Sequence, residues 1–221
     1  MDDTALTTVE IAKRPRRSGR LASGGAIREA AAALFLEKGY QGTSMDEIAA
    51  AAQVSKQTIY THFANKEELF ADLVLGNAER VEEFVKAMAR TLDDAPDLES
   101  GVRQLARMYL RLVVRPDVLR LRRLVLGEVG RFPGLAQTYY ERVPGRVMAA
   151  LAALFAGLAG EGRLRLQDPA VAAQHFAWLT LGDPLDRGMF YPIQETTPEA
   201  DLDRVADAAT RVFMAAYGRP S

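Results

Sequence analysis

The residues that decide the fold of this chain are TSMDEIAAAAQVSKQTIYTHF, positions 43–63. Ser44 followed by Glu47 is a capping-box pattern, which predicts that a short helix begins here. Gln-Val-Ser at 53–55 interrupts that helix, and Ser55 is a suitable N-cap for a second short helix. Two short helices joined by such a break are typical of a helix-turn-helix.

The polar and apolar positions of this stretch agree with that interpretation. The interior needs apolar residues, with a small one where the helix axes approach, and these positions hold Ile48, Ala49, Ala52, Val54 and Ile59. The second helix exposes hydrogen-bonding groups suited to a DNA major groove, namely Lys56, Gln57, Thr58, Tyr60 and Thr61. A surface helix without a partner more often carries Glu and Lys pairs four residues apart.

Helical periodicity extends over almost all of the remaining chain. A first helix begins after Ser23 and ends at Gly39, and Asn65 with Glu68 opens a helix predicted to reach about Arg90. Further helical patterns fill 98–114, 117–130, 134–160, 168–190 (with a break near Pro184) and 198–217. Because no stretch alternates like a strand, the predicted fold is all-α, with a three-helix N-terminal domain over 23–72 and a helical C-terminal domain over 73–221.

Composition excludes several functions. The 221 residues include no Cys and only two His, so disulfide scaffolds, thiolate zinc sites and cysteine nucleophiles are excluded, and we expect no metal or cofactor. Residues 73–221 carry no glycine-rich phosphate loop, serine elbow or metal-spaced His-Glu pair, so we expect no enzyme. The N-terminus lacks a secretory pattern, and the charge-free run 147–160 is too short to span a bilayer, which predicts a cytoplasmic protein without a membrane partner.

Charge is unevenly distributed although the net charge is only -1. Residues 11–66 hold nine Lys or Arg and four Asp or Glu, and five of those cations lie between Lys13 and Arg20. Residues 1–22 are therefore predicted to be a disordered basic arm. Such an arm is typical of a nucleic-acid binder, and a solvated tail without a partner remains an alternative.

SKQTIYTHFANKEELF (55–70), preceded by TSMDEIA (43–49), closely resembles the DNA-binding signature of TetR-family transcriptional repressors. The resemblance covers roughly residues 24–72. It departs at Gln53 and Gln57, where the family often has glycine. Gln53 must therefore adopt a turn conformation that glycine accepts more freely. Gln57 adds a side chain on the DNA-facing surface, so the operator sequence of this protein cannot be inferred from that of a relative.

The resemblance implies a role for each matching position. Lys56, Gln57, Thr58 and Tyr60 match residues that face bases or the adjacent backbone, and Ser44, Thr61, His62 and Lys66 match phosphate-contacting residues. Lys66 lies in the first turn of a helix, whose free N–H groups also favour a phosphate. Two alternatives stay open, because Tyr60 can pack in the core with its hydroxyl at the rim and His62 can be a structural histidine.

In this family the C-terminal domain binds a small effector and forms the homodimer, and RRLVLGEVGRFPGLAQTYYERVPGRV (122–147) resembles the AefR-like branch. Apolar faces with a few polar members suggest an effector pocket. Its candidate residues are Met108, Leu112, Leu124, Glu128, Phe132, Tyr139, Met148, Phe155, Phe176 and Trp178. Each has core packing as an alternative. Glu128, an acid in an apolar segment, should pair with an arginine or with a cationic group of the effector.

Long apolar stripes on the last two helical patterns suggest a homodimer built as a four-helix bundle. The stripes consist of Val171, Gln174, His175 and Trp178 in one helix and Leu202, Val205, Ala208, Ala209, Val212 and Phe213 in the other. The sequence thus predicts a homodimeric regulator that leaves a palindromic double-stranded DNA operator when an effector binds. Rival hypotheses are an all-α enzyme or carrier that retains a helix-turn-helix scaffold, and an activator or nucleoid-type DNA binder.

Overall fold

The computed structural model describes residues 17–76, 78–192 and 198–219, and it confirms the predicted all-α class. The described residues form helices joined by short loops, and a single isolated bridge pairs Leu164 with Gly218. The helices are α1 (Arg17–Lys38), α2 (Met45–Ala51), α3 (Lys56–His62), α4 (Lys66–Leu75), α5 (Ala78–Asp93), α6 (Leu98–Val113), α7 (Pro116–Gly127), α8 (Pro133–Arg142), α9 (Pro144–Gly160), α10 (Pro169–Phe190) and α11 (Glu199–Tyr217).

Capping residues set the helix boundaries in the N-terminal part, as the sequence predicts. Gly39, with φ of +74°, follows the last residue of α1. Ser44 Oγ accepts from the Glu47 amide at 3.2 Å, and Glu47 Oε2 accepts from the Ser44 amide at 2.9 Å, which completes the capping box. Asn65 Oδ1 accepts from the Glu68 amide at 2.8 Å ahead of α4. These bonds satisfy N–H groups that a helix start leaves free.

Three predicted boundaries differ from the structure, and so does the predicted break near Pro184, because α10 continues through that residue. α1 begins at Arg17, inside the segment 1–22 predicted to be disordered, while residues 1–16 lie outside the described residues. The helix predicted to run from 66 to about 90 ends at Leu75, and α5 begins at Ala78. The predicted helix 134–160 divides at Val143, because Pro144 has no N–H to continue α8 and instead occupies the first position of α9.

The chain divides into two compact units, residues 1–69 and 70–221, close to the predicted domain boundary after residue 72. In the first unit α1, α2 and α3 enclose a small core. Ile27, Phe35, Ile48 and Ile59 are completely buried there, and Ala49 is buried to 97% as the small residue at the close approach of the helices.

The second unit has a larger core with an aromatic centre. The rings of Phe155, Phe176 and Phe213 lie 4.9–5.4 Å apart, and all three side chains are completely buried. The segment Pro133–Gly160 is apolar and long enough by composition to cross a membrane. In the structure it consists of α8 and α9, and α9 contributes Leu151 and Phe155 to this core. The segment is therefore two helices, of which α9 contributes to the core.

Candidate DNA-binding site and effector pocket

The turn between α2 and α3 has the geometry of a helix-turn-helix. Gln53 adopts φ of +55°, so the expected left-handed conformation at this position is confirmed. The Val54 amide donates to the Ala49 carbonyl at 3.0 Å and directs the chain towards α3. Ser55 then caps α3, since its Oγ accepts from the Thr58 amide at 3.0 Å. The turn therefore fixes the direction of α3 relative to α2.

Gln57 and Tyr60 project freely from α3. Both side chains are exposed, Tyr60 to 51%. Within the described part of the chain neither the Gln57 amide nor the Tyr60 hydroxyl has a hydrogen-bond partner. The core-packing alternative for Tyr60 is therefore wrong. Thr61 is also exposed, but its Oγ1 donates to the Gln57 carbonyl at 2.7 Å. Gln57 and Tyr60 are thus the polar groups of this helix that are available to another molecule.

Lys56 is exposed at the start of α3 and is held by an acid from α2. Its Nζ lies 2.5 Å from Asp46 Oδ2, and this hydrogen bond raises the pKa of Lys56 above its usual range. The sequence interpretation missed this pair, which no short spacing signals. On the same helix the Thr58 hydroxyl lies 2.8 Å from Ser55 Oγ. Lys56 and Thr58 therefore have partners within the protein before any DNA arrives.

Three predicted phosphate-contacting residues also have structural partners. The Ser44 hydroxyl takes part in the capping box and donates to Glu47 Oε2 at 2.9 Å. His62 is half-buried, and its Nε2 lies 2.9 Å from Ser23 Oγ, which supports the structural alternative for this histidine. The Lys66 ammonium donates to two backbone carbonyls. Their phosphate contacts stay a prediction.

Thr43 is a structural residue of the same unit. It is buried to 98%, and its Oγ1 lies within 3.2 Å of the Leu34 carbonyl and 2.9 Å of the Gly39 carbonyl. The hydroxyl thus joins the end of α1 to the residue preceding the N-cap of α2.

The predicted effector-pocket residues divide into three groups. Met108, Leu112, Leu124, Phe132 and Met148 are half-buried, and so is Glu128, whose side chain is 15% exposed. Tyr139 is buried at 5% exposure, and Phe155 and Phe176 belong to the aromatic core, where other rings fill the space around them. Trp178 is 65% exposed on the outer face of α10, so the prediction that it lines an interior pocket is wrong.

Glu128 is the predicted pocket residue with charge. Its Oε2 lies 4.0 Å from Arg131 Nε, at the outer limit of an ion pair. The predicted arginine partner is therefore present, but the distance is longer than the 2.7–2.9 Å of a charge-assisted hydrogen bond. A separate groove of about 400 Å³ lies between α5 and α9, and none of the predicted pocket residues lines it.

The outer face of α10 carries the predicted dimer residues. Val171, Gln174, His175 and Trp178 are all exposed, and His175 Nδ1 lies 2.6 Å from the Tyr217 hydroxyl of α11. On α11 the stripe is only partly available. Val212 is 52% exposed and Val205 and Ala208 are half-buried, but Leu202, Ala209 and Phe213 are buried within their own unit.

Together the fold and the exposed α3 face define a helix-turn-helix DNA-binding protein. The family description "Bacterial regulatory proteins, tetR family" matches residues 27–73, and "AefR-like transcriptional repressor, C-terminal domain" matches residues 100–219. This chain belongs to the TetR family of transcriptional regulators. Its members regulate transcription and are not enzymes, which excludes the enzyme hypothesis.

Solved structures of similar proteins support this assignment along most of the chain. A TetR-family regulator from Mesorhizobium loti is 38% identical, with a TM-score of 0.83, over 92% of this chain and 100% of that chain. The flavonoid-responsive regulator FrrA is 30% identical, with a TM-score of 0.68, over 90% of this chain and 98% of that one.

Matches to relatives by sequence are shorter. The transcriptional activator FasR of Mycolicibacterium smegmatis is 36% identical over 89 residues, which is 37% of this chain and 41% of FasR. This chain thus spans less than half the length of the relatives that it matches in this way.

Proposed function

We propose that this protein is a homodimeric repressor that binds a palindromic operator and leaves it when a small molecule binds the C-terminal unit. The observation that carries the proposal is the free polar face of α3. Gln57 offers a donor and an acceptor to a base edge, and Tyr60 offers a hydroxyl beside it. An exposed helix face with unpaired groups of this kind, on a well-capped helix-turn-helix, is suited to reading a major groove.

The two-fold symmetry of a homodimer predicts the form of the operator. Two copies of α3 related by a two-fold axis read the same half-site in opposite directions, with half-sites about one helical turn apart or somewhat more. The experiment is selection from a random-sequence DNA pool with the full chain, followed by sequencing. We expect an inverted repeat. Recovery of a single half-site, with a monomer in sedimentation at micromolar concentration, would refute the dimer proposal.

Repression is favoured by the C-terminal match to an AefR-like repressor domain. Activation is the second candidate, because the relative FasR is an activator. Transcription in vitro from a promoter that overlaps the selected operator distinguishes the two. A repressor lowers the transcript level in proportion to operator occupancy, whereas an activator raises it when the operator lies upstream.

The proposed effector is an apolar or amphipathic small molecule that contacts the half-buried residues of the C-terminal unit. Glu128 supplies an acceptor there, since its pairing with Arg131 is long. Flavonoids are a sensible first panel because FrrA is flavonoid-responsive. Effector binding must favour one arrangement of the two DNA-binding units over the other, because otherwise it does not change operator affinity. Compounds that bind the protein and leave operator affinity unchanged would count against effector control.

The proposed partner is chromosomal DNA, so we place the protein in the cytoplasm without a membrane partner. The test is fractionation of cells that produce the full chain. We expect the chain in the DNA-associated and soluble fractions, and its recovery with membranes after a high-salt wash would overturn this location.

A further inference from the structure

Arg122 of α7 is a half-buried cation without an acceptor. Six described arginines of the second unit are half-buried, namely Arg103, Arg107, Arg122, Arg123, Arg146 and Arg163. The other five all bind a carboxylate or a backbone carbonyl. Arg122 has neither an ion pair nor a hydrogen bond within the part of the chain that the structure describes. Because a partly desolvated charge without a partner is unfavourable, Arg122 is suited to an acceptor from another molecule.

The neighbours of Arg122 along α7 supply no acid. Residues three and four positions away lie on the same face of a helix, and here they are Val118, Leu119, Val125 and Leu126. The next residue in the chain, Arg123, is also a cation, and its Nε donates to the Gly188 carbonyl at 2.9 Å. The α7 helix therefore carries an unpaired positive charge on an apolar face.

A buried tyrosine hydroxyl lies within electrostatic range of this charge. Tyr109 of α6 is 5% exposed, and its ring centroid lies 5.9 Å from that of Phe84. Burial raises the pKa of Tyr109 to about 12, and the charge of Arg122 acts in the opposite direction. The hydroxyl is therefore protonated at neutral pH and can donate a hydrogen bond.

The Tyr109 hydroxyl is also free to bind another molecule. It has no hydrogen-bond partner among the described residues. In the same residues, the unpartnered side-chain atoms that are closed to solvent are Arg107 Nε and Thr180 Oγ1, so the Tyr109 oxygen keeps access to solvent. The α6 and α7 helices are consecutive and contact each other. Two unused donors, one of them charged, are thus brought together by these two helices.

We propose that Arg122 and Tyr109 form an anion-binding site for an aromatic carboxylic acid, whose carboxylate accepts hydrogen bonds from both side chains. A guanidinium matches the two oxygens of a carboxylate, and a neutral hydroxyl adds a donor to the same anion. The apolar neighbours of Arg122 and the ring of Phe84 favour an acid with an apolar body over a small inorganic anion. The inference rests on the proposed effector control, and it gives the effector an acidic group.

Isothermal titration of the full chain tests the ligand class. The probes are benzoate, naphthoate and biphenylcarboxylate, each compared with its primary amide, and acetate is the small anion without a ring. We expect at least one aromatic acid to bind about tenfold or more tighter than its amide, because the amide has no charge to accept from Arg122. Absence of binding by all three acids at millimolar concentration, equal affinity of acid and amide, or equally tight binding of acetate would overturn the proposal.

Variants of α6 and α7 test the two side chains. Arg122→Gln should lower the affinity for the acid to that for the amide. Arg120→Gln is the matched control, because Arg120 is an exposed arginine of the same helix, and it should bind the acid as the unchanged protein does. Tyr109→Phe should lower acid affinity about tenfold and amide affinity little. Equal losses from Arg122→Gln and Arg120→Gln would contradict the site.

Urea unfolding distinguishes a binding residue from a structural one. Because Arg122 has no partner among the described residues, Arg122→Gln should leave the free energy of unfolding of the ligand-free protein unchanged. Arg123→Gln breaks the bonds to the Gly188 carbonyl and should lower it. A loss from Arg122→Gln as large as that from Arg123→Gln would show that Arg122 is structural and would overturn the proposal.

Titration of the selected operator with and without the acid separates this site from effector control. An acid that binds through Arg122 and releases the operator supports both. An acid that binds through Arg122 and leaves operator affinity unchanged supports the anion site and contradicts effector control. Release of the operator by the amides as readily as by the acids would support effector control and overturn the anion site.

Discussion

Trp178 is the single tryptophan of the chain, and its substitution tests the proposed dimer face directly. The side chain is 65% exposed in the isolated chain, beside the exposed residues Val171, Gln174 and His175 of the same helix. An isolated protein gains nothing by holding its largest apolar side chain in water. A second copy of the chain packed on α10 would bury it, and aromatic residues of this kind often dominate an interface.

The size of the effect follows from the exposed area. A tryptophan buries up to about 250 Å², so 65% exposure leaves about 160 Å² available, or about 4 kcal/mol per copy at 25 cal/mol per Å² as an upper bound. Alanine still buries part of that area, and the free-energy cost of association offsets another part of the gain. For Trp178→Ala we expect dimerisation to weaken by about 3 kcal/mol per dimer, which is about a hundredfold in Kd.

Sedimentation velocity over a dilution series measures this change, and the fluorescence of Trp178 gives a second readout. Emission should shift to longer wavelength as the unchanged protein is diluted through its Kd. Tyr140→Ala is the matched control, because Tyr140 is 62% exposed but lies on α8. Equal Kd values for the Trp178→Ala variant and the unchanged protein would refute the assignment of α10 to the interface.

Three further predictions concern the DNA-binding unit. Gln57→Ala should cost about 1–3 kcal/mol on the selected operator and little on scrambled DNA, as measured by titration of labelled duplexes, and equal losses on both would contradict base reading. Ser55→Ala removes the N-cap of α3 and should lower the free energy of unfolding by about 1 kcal/mol in urea denaturation. The pKa of Glu47 is lowered to about 2, first by the hydrogen bond from Lys38, so the stabilising contribution of Glu47 is complete above pH 4.5 and is lost as the pH falls towards 2. Acid unfolding of the Glu47→Gln variant should therefore be less steep in that pH window, and an unchanged unfolding profile would contradict this.

Local sequence was sufficient for the features that depend on residues three or four positions apart. The capping box at Ser44 and the cap at Ser55 were predicted correctly, because each involves hydrogen bonds within one turn of chain. The left-handed turn at Gln53 was expected from the glycine that the family often has at this position. The same local patterns placed Gln57 on the exposed side of α3. The family was recognised separately, from the resemblance of residues 43–49 and 55–70 to its DNA-binding signature.

Helix continuity was harder to predict. Pro184 was expected to break α10, yet the helix runs unbroken from Pro169 to Phe190. Its residues on either side pack tightly, and a Cβ at Gly188 would come within 2.7 Å of Leu119 Cδ2. Tertiary packing here outweighs the lost hydrogen bond. By contrast, the apolar period through 66–90 continues across the interruption after Leu75, and the signal for that interruption is Gly76, because glycine commonly follows the last residue of a helix.

The sequence by itself thus determined the all-α class and the exposed face of α3, because periodicity, caps and turn residues act locally, and its resemblance to a DNA-binding signature indicated the family. Only the tertiary structure decided the environment of individual side chains. Phe176 and Trp178 are two residues apart on α10, yet one is completely buried and the other is 65% exposed. Lys66 finds its carbonyl partners 23 and 26 residues earlier in the chain. Such partners depend on which helices become neighbours in space, and that outcome reflects the packing of the whole unit.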